Sequence, residues 1–189
     1  EKLKIKDMTP NEKELLIKSD TFCMLPWQHI HAFPDGRAYP CCFSLDKYPV
    51  GDLNKDSMET VFNGTDMKQM RLNMLANKPS KQCTKCYDQE ESGFFSLRLS
   101  SNKHFGHNIG MVENTQADGS ADFVIKYWDI RFSNLCNLAC RSCGTWFSSN
   151  WYEDHKKLTG KPPEHAKILK VGRSSNDIWE QMLEQFEHV

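Results

Sequence analysis

Alternating apolar and polar residues predict a β-hairpin near the start of the chain. Residues 27–33 form the first predicted strand, a Pro-Asp-Gly turn follows at 34–36, and residues 37–41 form the second. Antiparallel strands lie about 4.8 Å apart, so a hairpin returns the chain to the end from which it started. We therefore expect Cys23, at the entrance of the first strand, to lie near Cys41 and Cys42 at the exit of the second.

Helical spacing dominates on both sides of the hairpin. Thr9 and Pro10 have the residue types of a helix start, and Leu15 to Ile17 would lie on the short helix that follows. Further helices are predicted over residues 57–62, 66–76, part of 87–105, 146–158 and 175–186. Met67, Met70 and Met74 follow helical spacing, and we expect them to pack inside the protein. We expect the same of Phe94, Phe95 and Leu97.

A second strand-rich segment, residues 123–132, runs directly into a cysteine-rich loop and then into a predicted helix. Strand, loop and helix in this order form the first unit of a β/α series. The predicted fold class is α+β: a hairpin-plus-helices domain at 21–107, after a helical extension at 1–20, and the opening β/α unit of a partial (β/α) barrel at 123–189. The polar segment 108–122 is the predicted linker.

Composition excludes several classes of protein. The 189 residues carry a formal net charge of -1, so no basic excess suggests nucleic acid as a partner. No stretch approaches the roughly 18 apolar residues of a membrane span, and the first residues lack the apolar core of an export signal. We expect a cytoplasmic protein that contacts neither nucleic acid nor membrane, in which eight cysteines indicate metal binding rather than disulfides.

The cysteines fall into two groups. Cys136, Cys140 and Cys143 have CxxxCxxC spacing, and three such thiolates can hold three irons of a four-iron cluster while the fourth iron stays open to a small molecule. The other group contains five cysteines, four of which could ligate all the irons of a second cluster, and its members are Cys23, Cys41, Cys42, Cys83 and Cys86.

Other interpretations of these residues stay open. Zinc could bind Cys83 and Cys86 with another thiol pair, and a zinc-stabilised, non-catalytic binding module would pair them with Cys140 and Cys143. The 53 residues between Cys86 and Cys140 exceed the spacing of compact zinc ribbons. The CxxC could also serve thiol redox chemistry, although such motifs open a helix after a strand, and this one follows Pro79 and a helix.

Three further polar side chains have simpler explanations than a ligand role. His29 and His31 share one strand face, where solvent or a hydrogen-bond partner accounts for them more simply than metal. Arg98 could bind an anion, but we expect it on a solvated helix face.

The strand followed by Cys136, Cys140 and Cys143 resembles the opening of radical S-adenosylmethionine (SAM) enzymes. The hairpin with its cysteines, including the run Tyr39 to Cys42, and the later CxxC resemble the twitch or SPASM-type auxiliary cluster domain attached to many of those enzymes. Together the two resemblances cover roughly residues 22–160. They imply an oxidoreductase or maturase whose auxiliary domain precedes the radical SAM core.

The resemblance assigns roles to the cysteines. The CxxxCxxC thiols would ligate the SAM-binding [4Fe–4S] cluster, and reductive cleavage of SAM would give a 5′-deoxyadenosyl radical that abstracts hydrogen from a substrate. The auxiliary-cluster ligands would be Cys23, Cys41, Cys83 and Cys86, with Cys42 as the alternative to Cys41. If Cys42 is not a ligand, we expect it to be a small buried apolar residue.

The resemblance also implies partners. The substrate would be a peptide or a small molecule, and flavodoxin or ferredoxin would donate electrons. No catalytic side chain is assigned. We expect the chain to be a fragment without most of the barrel, and therefore inactive alone.

Overall fold

The predicted hairpin forms the centre of a four-stranded sheet. A computed structural model describes residues 8–172 and 177–186. The strands are β1 (His29–Ala32), β2 (Arg37–Tyr39), β3 (Gly51–Asp52) and β4 (Tyr127–Ile130), in the spatial order β3-β2-β1-β4. β1 and β2 are antiparallel, with His31 opposite Tyr39, which confirms the hairpin, although Trp27 belongs to a 3₁₀ turn instead of the strand.

The turn of the hairpin depends on Gly36. Its φ is +92°, a conformation that favours glycine, and an added Cβ would lie 2.3 Å from Nδ2 of Asn54. That same amide nitrogen donates to the carbonyl oxygen of Asp35 at 2.6 Å, so Asn54 takes the space that a side chain would need.

β4 pairs in parallel with β1 and so extends the hairpin sheet. His29 lies opposite Tyr127 and Ala32 opposite Ile130. The predicted strand at 123–132 therefore exists, but only its centre is regular. Because β4 leads directly into the CxxxCxxC loop, that loop begins at one end of the hairpin sheet.

Eight α-helices surround the sheet in the described part of the chain. They are α1 (Pro10–Lys13), α2 (Met58–Phe62), α3 (Thr65–Leu75), α4 (Thr84–Glu91), α5 (Leu97–Phe105), α6 (Gly110–Glu113), α7 (Trp151–Thr159) and α8 (Asp177–Phe186). The helix start predicted at Thr9 is confirmed, since its side chain accepts a hydrogen bond from the N–H of Glu12. Ser57, predicted as the first residue of a helix, is the N-cap of α2, and its side chain accepts from the N–H of Thr60.

The helix predictions need correction in places. Helix in part of 87–105 is confirmed, since α4 and α5 occupy that segment on either side of a turn at Gly93, whose φ is +81°. Phe94 and Phe95, next to this turn, are exposed instead of packed. The helix predicted from residue 146 begins at Trp151, and α6 lies inside the predicted polar linker. Residues 175 and 176, where the last helix was predicted to begin, lie outside the described residues.

One hydrophobic core runs through the described residues. Met67, Met70 and Met74 are buried in it, as predicted, and it extends from the hairpin to Ile178 and Met182 of α8. The fold class is thus α+β, while the division of the chain into domains and the further strands of a barrel stay predictions. None of the helices within residues 8–172 and 177–186 is long and apolar enough to cross a membrane.

Candidate metal centre

Four of the five amino-terminal thiols line one small cavity. Cys23 precedes the 3₁₀ turn at 25–27, Cys41 follows β2, Cys83 caps the start of α4, and Cys86 lies in the first turn of that helix. The cavity between them measures about 20 Å³. Residues from three separate segments therefore converge. The hairpin geometry predicts Cys23 beside Cys41, whereas Cys42, which was expected near Cys23 as well, does not line this cavity. The assignment of the four cavity thiols as cluster ligands stays a prediction.

Burial controls the protonation of these thiols. It raises the pKa of Cys23, Cys41, Cys83 and Cys86, and neighbouring thiols raise the pKa of the first three further. A bound metal reverses this preference, because metals bind the thiolate and release its proton. The chain without metal therefore keeps these groups protonated.

Backbone donors face three of the sulfurs. The N–H groups of Leu25, Phe43 and Arg98 form hydrogen bonds that lower the pKa of Cys23, Cys41 and Cys86 respectively. Hydrogen bonds to the sulfurs are one of the features that tune iron–sulfur clusters. A set of four buried or half-buried thiols, three of which face N–H donors, thus fits an iron–sulfur cluster, and by donor type alone it also fits zinc.

Arg98 lies at the wall of the same cavity, contrary to the expectation of a solvated face. Only 4 % of the residue is exposed, and its guanidinium is paired with the Glu90 carboxylate. Nη1 also donates to the carbonyl oxygens of Ser19 and Phe22, each at 2.9 Å. Sequence analysis missed this cation beside the thiols, because the burial of one helix face depends on neighbours distant in the chain.

Cys42 lies apart from the other four. It is exposed and borders a neighbouring, larger cavity. The expectation that it is a small buried apolar residue is therefore wrong.

The two histidines of β1 are buried and have partners within the sheet. Nδ1 of His29 lies 2.8 Å from the carbonyl oxygen of Tyr127, and Nδ1 of His31 lies 2.8 Å from Oδ2 of Asp129. Burial lowers the pKa of His29 to about 4 and also lowers that of His31, where Asp129 acts in the opposite direction. The His29 ring fits the simpler explanation of a hydrogen-bonded strand residue, and the His31 ring lies at ion-pair distance from Asp129.

The CxxxCxxC thiols lie on a loop that is open to solvent. Cys140 is exposed, while Cys136 and Cys143 are half-buried. The loop is folded locally, since the N–H of Cys143 donates to the carbonyl of Cys140 at 3.0 Å and Nε1 of Trp151 donates to the same oxygen at 3.0 Å. These contacts give the loop a defined path between β4 and α7.

Asn134 anchors this loop and was not singled out from the sequence. It is fully buried; its Nδ2 donates to the carbonyl oxygens of Thr145 at 3.1 Å and Lys167 at 3.0 Å, and its Oδ1 accepts from the N–H of Leu169 at 2.8 Å. The loop is therefore tied to a segment more than thirty residues further along the chain.

The structure separates the thiols of the rival zinc set. Cys83 and Cys86 line the buried cavity, whereas Cys140 is on the exposed loop. Within residues 8–172 and 177–186, no three His, Cys, Asp or Glu side chains are placed to hold a single metal ion.

The CxxC motif opens helix α4, and a 3₁₀ turn precedes it instead of the strand that thiol redox motifs have, as the sequence indicated. The raised pKa of Cys83 and Cys86 is opposite to the lowered pKa of reactive redox thiols.

Comparison with protein families identifies the region around the four thiols. Residues 23–87 match the SPASM family. Its members are described as iron–sulfur cluster-binding domains, and the match begins at Cys23 and includes all four cavity thiols. The SPASM region covers about a third of the chain and supports an auxiliary iron–sulfur domain. Neither the curated proteins nor the solved structures include a match to the chain.

Proposed function

We propose that the chain is part of a radical SAM enzyme whose SPASM region carries an auxiliary iron–sulfur cluster. The observation that supports this most strongly is the convergence of Cys23, Cys41, Cys83 and Cys86 on one enclosed cavity inside the matched region. These four residues would hold the auxiliary cluster. When bound, that group would supply one-electron chemistry beside the substrate.

The sheet supports a link between the two cysteine groups. β1 belongs to the SPASM hairpin and pairs directly with β4, the strand that leads into the CxxxCxxC loop. Cys136, Cys140 and Cys143 would hold the SAM-binding cluster on that loop. The two strands are parallel, so the loop after β4 leaves the sheet at the end of the hairpin turn, whereas Cys23 and Cys41 lie at the end where β1 begins. The two centres would thus be attached to opposite ends of one small sheet.

The remaining parts of the proposal follow the sequence resemblance. The substrate would be a peptide or a small molecule, and a flavodoxin or ferredoxin would supply electrons. Residues of the chain act by holding the clusters, by keeping water from the buried thiols and by fixing the path of the loop through Asn134.

Anaerobic reconstitution with iron and sulfide tests the proposal. The expected result is about eight irons per chain, as for two four-iron clusters, with broad absorption near roughly 400 nm. C23A/C83A and C140A/C143A should each lose about half of the iron. C42S is the matched control and should keep all of it, because Cys42 lies outside the thiol cavity.

Two outcomes would contradict the proposal. Stoichiometric zinc without colour would favour the zinc-stabilised module. Loss of all iron in both double variants, with the chain still folded, would show that the two groups are not separate centres. The enzyme that is proposed to contain this chain should form 5′-deoxyadenosine from SAM, and C140A/C143A should abolish this.

A further inference from the structure

One fixed positive charge lines the thiol cavity. Of the ten described residues that form its walls, Arg98 alone has a side chain that is charged at neutral pH. Its carboxylate partner, Glu90, is not among these ten residues. The cation of this buried ion pair therefore faces the four thiols, and the anion lies behind it.

Hydrogen bonds hold the guanidinium of Arg98 in this place. Its Nε and Nη2 donate to the two carboxylate oxygens of Glu90, and its Nη1 donates to the carbonyl oxygens of Ser19 and Phe22. The hydroxyl of Ser96 donates to the same carboxylate and so fixes Glu90 in turn. With most of its donors bound elsewhere, the guanidinium acts on the thiols through its charge.

The thiols respond to both charges of the pair. Burial raises the pKa of Cys23, Cys83 and Cys86, and the positive charge of Arg98 acts against it at all three. At Cys86 the carboxylate of Glu90 acts in the opposite direction to Arg98. Negative charge on the sulfurs is thus favoured by the arginine and disfavoured by the glutamate.

The same two effects apply to any metal centre that gains an electron inside this cavity. Four thiolates give an iron–sulfur cluster negative charge, and reduction by one electron adds to it. Net charge is one of the factors that set the potential of such clusters, and a buried negative charge is costly without a counter-ion. A cation fixed at the cavity wall therefore favours the reduced state, and a fixed carboxylate disfavours it.

We propose that Arg98 is the counter-ion of an iron–sulfur cluster held by these four thiols and raises its reduction potential, and that Glu90 limits this increase. The proposal rests on the auxiliary cluster of the proposed function, but not on cleavage of SAM. The step concerned transfers one electron from a flavodoxin or ferredoxin to the cluster, and no covalent bond forms or breaks. Arg98 and Glu90 are positioning residues, since both act through the cluster.

Redox titration of the reconstituted chain, followed by electron paramagnetic resonance, measures this potential. C140A/C143A is the parent, so that the signal comes from the thiol cavity. At a given potential, R98Q should lower the ratio of reduced to oxidised cluster about tenfold, which corresponds to about 59 mV for one electron. E90Q should raise this ratio about threefold, because it removes the opposing charge.

Two control variants separate charge from structure. R98K keeps the positive charge and should change the ratio less than about threefold. K103Q removes an exposed cation from the same helix and should change it less than about twofold, since solvent screens that charge. A purely structural role of Arg98 would not give shifts of opposite sign in R98Q and E90Q.

Shifts of the same sign in R98Q and E90Q would overturn the proposal, and so would shifts no larger than that of K103Q. E90Q leaves Arg98 in place, so an unchanged potential in E90Q overturns it even if R98Q does not fold. In each of these cases the cluster itself is present and the proposed function stands. A folded parent that binds no iron would instead contradict the proposed cluster, and this proposal with it.

Discussion

His29 can remain buried only in its neutral form, and this makes the stability of the fold dependent on pH. Its pKa falls from an unfolded value of about 6.5 to about 4 in the folded chain. Between those values the unfolded chain binds the extra proton, so stability is fully present above pH 6.5 and is lost as the pH falls towards 4. His31, whose pKa is also lowered, acts in the same direction.

We therefore expect the chain to lose about 2 kcal/mol of stability between pH 7.5 and 5 through His29 alone. Urea denaturation at the two pH values measures the loss. H29N should reduce the difference, whereas H107N should leave it unchanged, because that ring is exposed. A denaturation midpoint that does not fall at pH 5 would contradict the assignment.

Arg98 supports the thiol cavity through contacts with two other segments. Its guanidinium pairs with Glu90 and donates to the carbonyls of Ser19 and Phe22, just before Cys23. R98M would leave a largely buried carboxylate and two carbonyls without their partner. We expect it to cost about 3 to 5 kcal/mol in the metal-free chain.

Urea denaturation of the metal-free chain measures this cost. K103M is the control, because Lys103 lies on the same helix but is exposed. The double variant R98M/E90Q should recover part of the loss, since it removes the uncompensated charge. Equal stability of R98M and K103M would show that the buried ion pair contributes little.

At the scale of elements, the side-chain amide of Asn134 holds the CxxxCxxC loop in place. The side chain of Asn134 makes three hydrogen bonds, two to the backbone of Lys167 and Leu169 and one to the carbonyl oxygen of Thr145 at the end of the loop. N134A removes all three and leaves buried carbonyls unpaired, so residues 135–150 should exchange their amide hydrogens at least tenfold faster. Hydrogen-exchange mass spectrometry measures this. N114A, at an exposed asparagine, should not change the loop, and an unchanged loop in N134A would refute the anchoring role.

The elements that sequence reasoning located are those specified by local residues. The hairpin follows from alternation and a Pro-Asp-Gly turn, and the start of the first helix follows from the cap residue Thr9. The parallel pairing of β4 with β1 joins residues almost one hundred positions apart, so no local pattern reveals it. The late start of α7 has the same cause, because Ser149 is held by Asn134 outside the helix.

The same distinction applies to the candidate site. The hairpin geometry predicts that Cys23 and Cys41 meet, and the structure places them at one cavity with the CxxC thiols. The exposure of Cys42 and the burial of Arg98 and His29 depend on helix α5 and strand β4 packing beside the hairpin. Those contacts are tertiary, and the sequence pattern carries no sign of them.

At the scale of the whole molecule, the carboxy-terminal helix belongs to the same core as the SPASM region. Ile178 and Met182 of α8 are buried in that core. Side chains of the helix also bind distant backbone: Oε1 of Gln181 accepts from the N–H of Met58 at 2.6 Å, and Oε1 of Gln185 accepts from that of Ile125 at 3.2 Å. The residues after the CxxxCxxC loop therefore stabilise the amino-terminal half.

A pair of adjacent residues on α8 tests this coupling. Ile178 is 2 % exposed and Trp179 is 50 % exposed. I178A should cost about 2 to 5 kcal/mol, because it leaves a cavity in the shared core, whereas W179A should cost far less. If the core is continuous, the amide hydrogens of β1 and β4 should exchange faster in I178A by the same factor, since both strands then open by global unfolding. Faster exchange confined to α8 would mean that the helix unfolds separately, and the stability of the thiol cavity would then be independent of it.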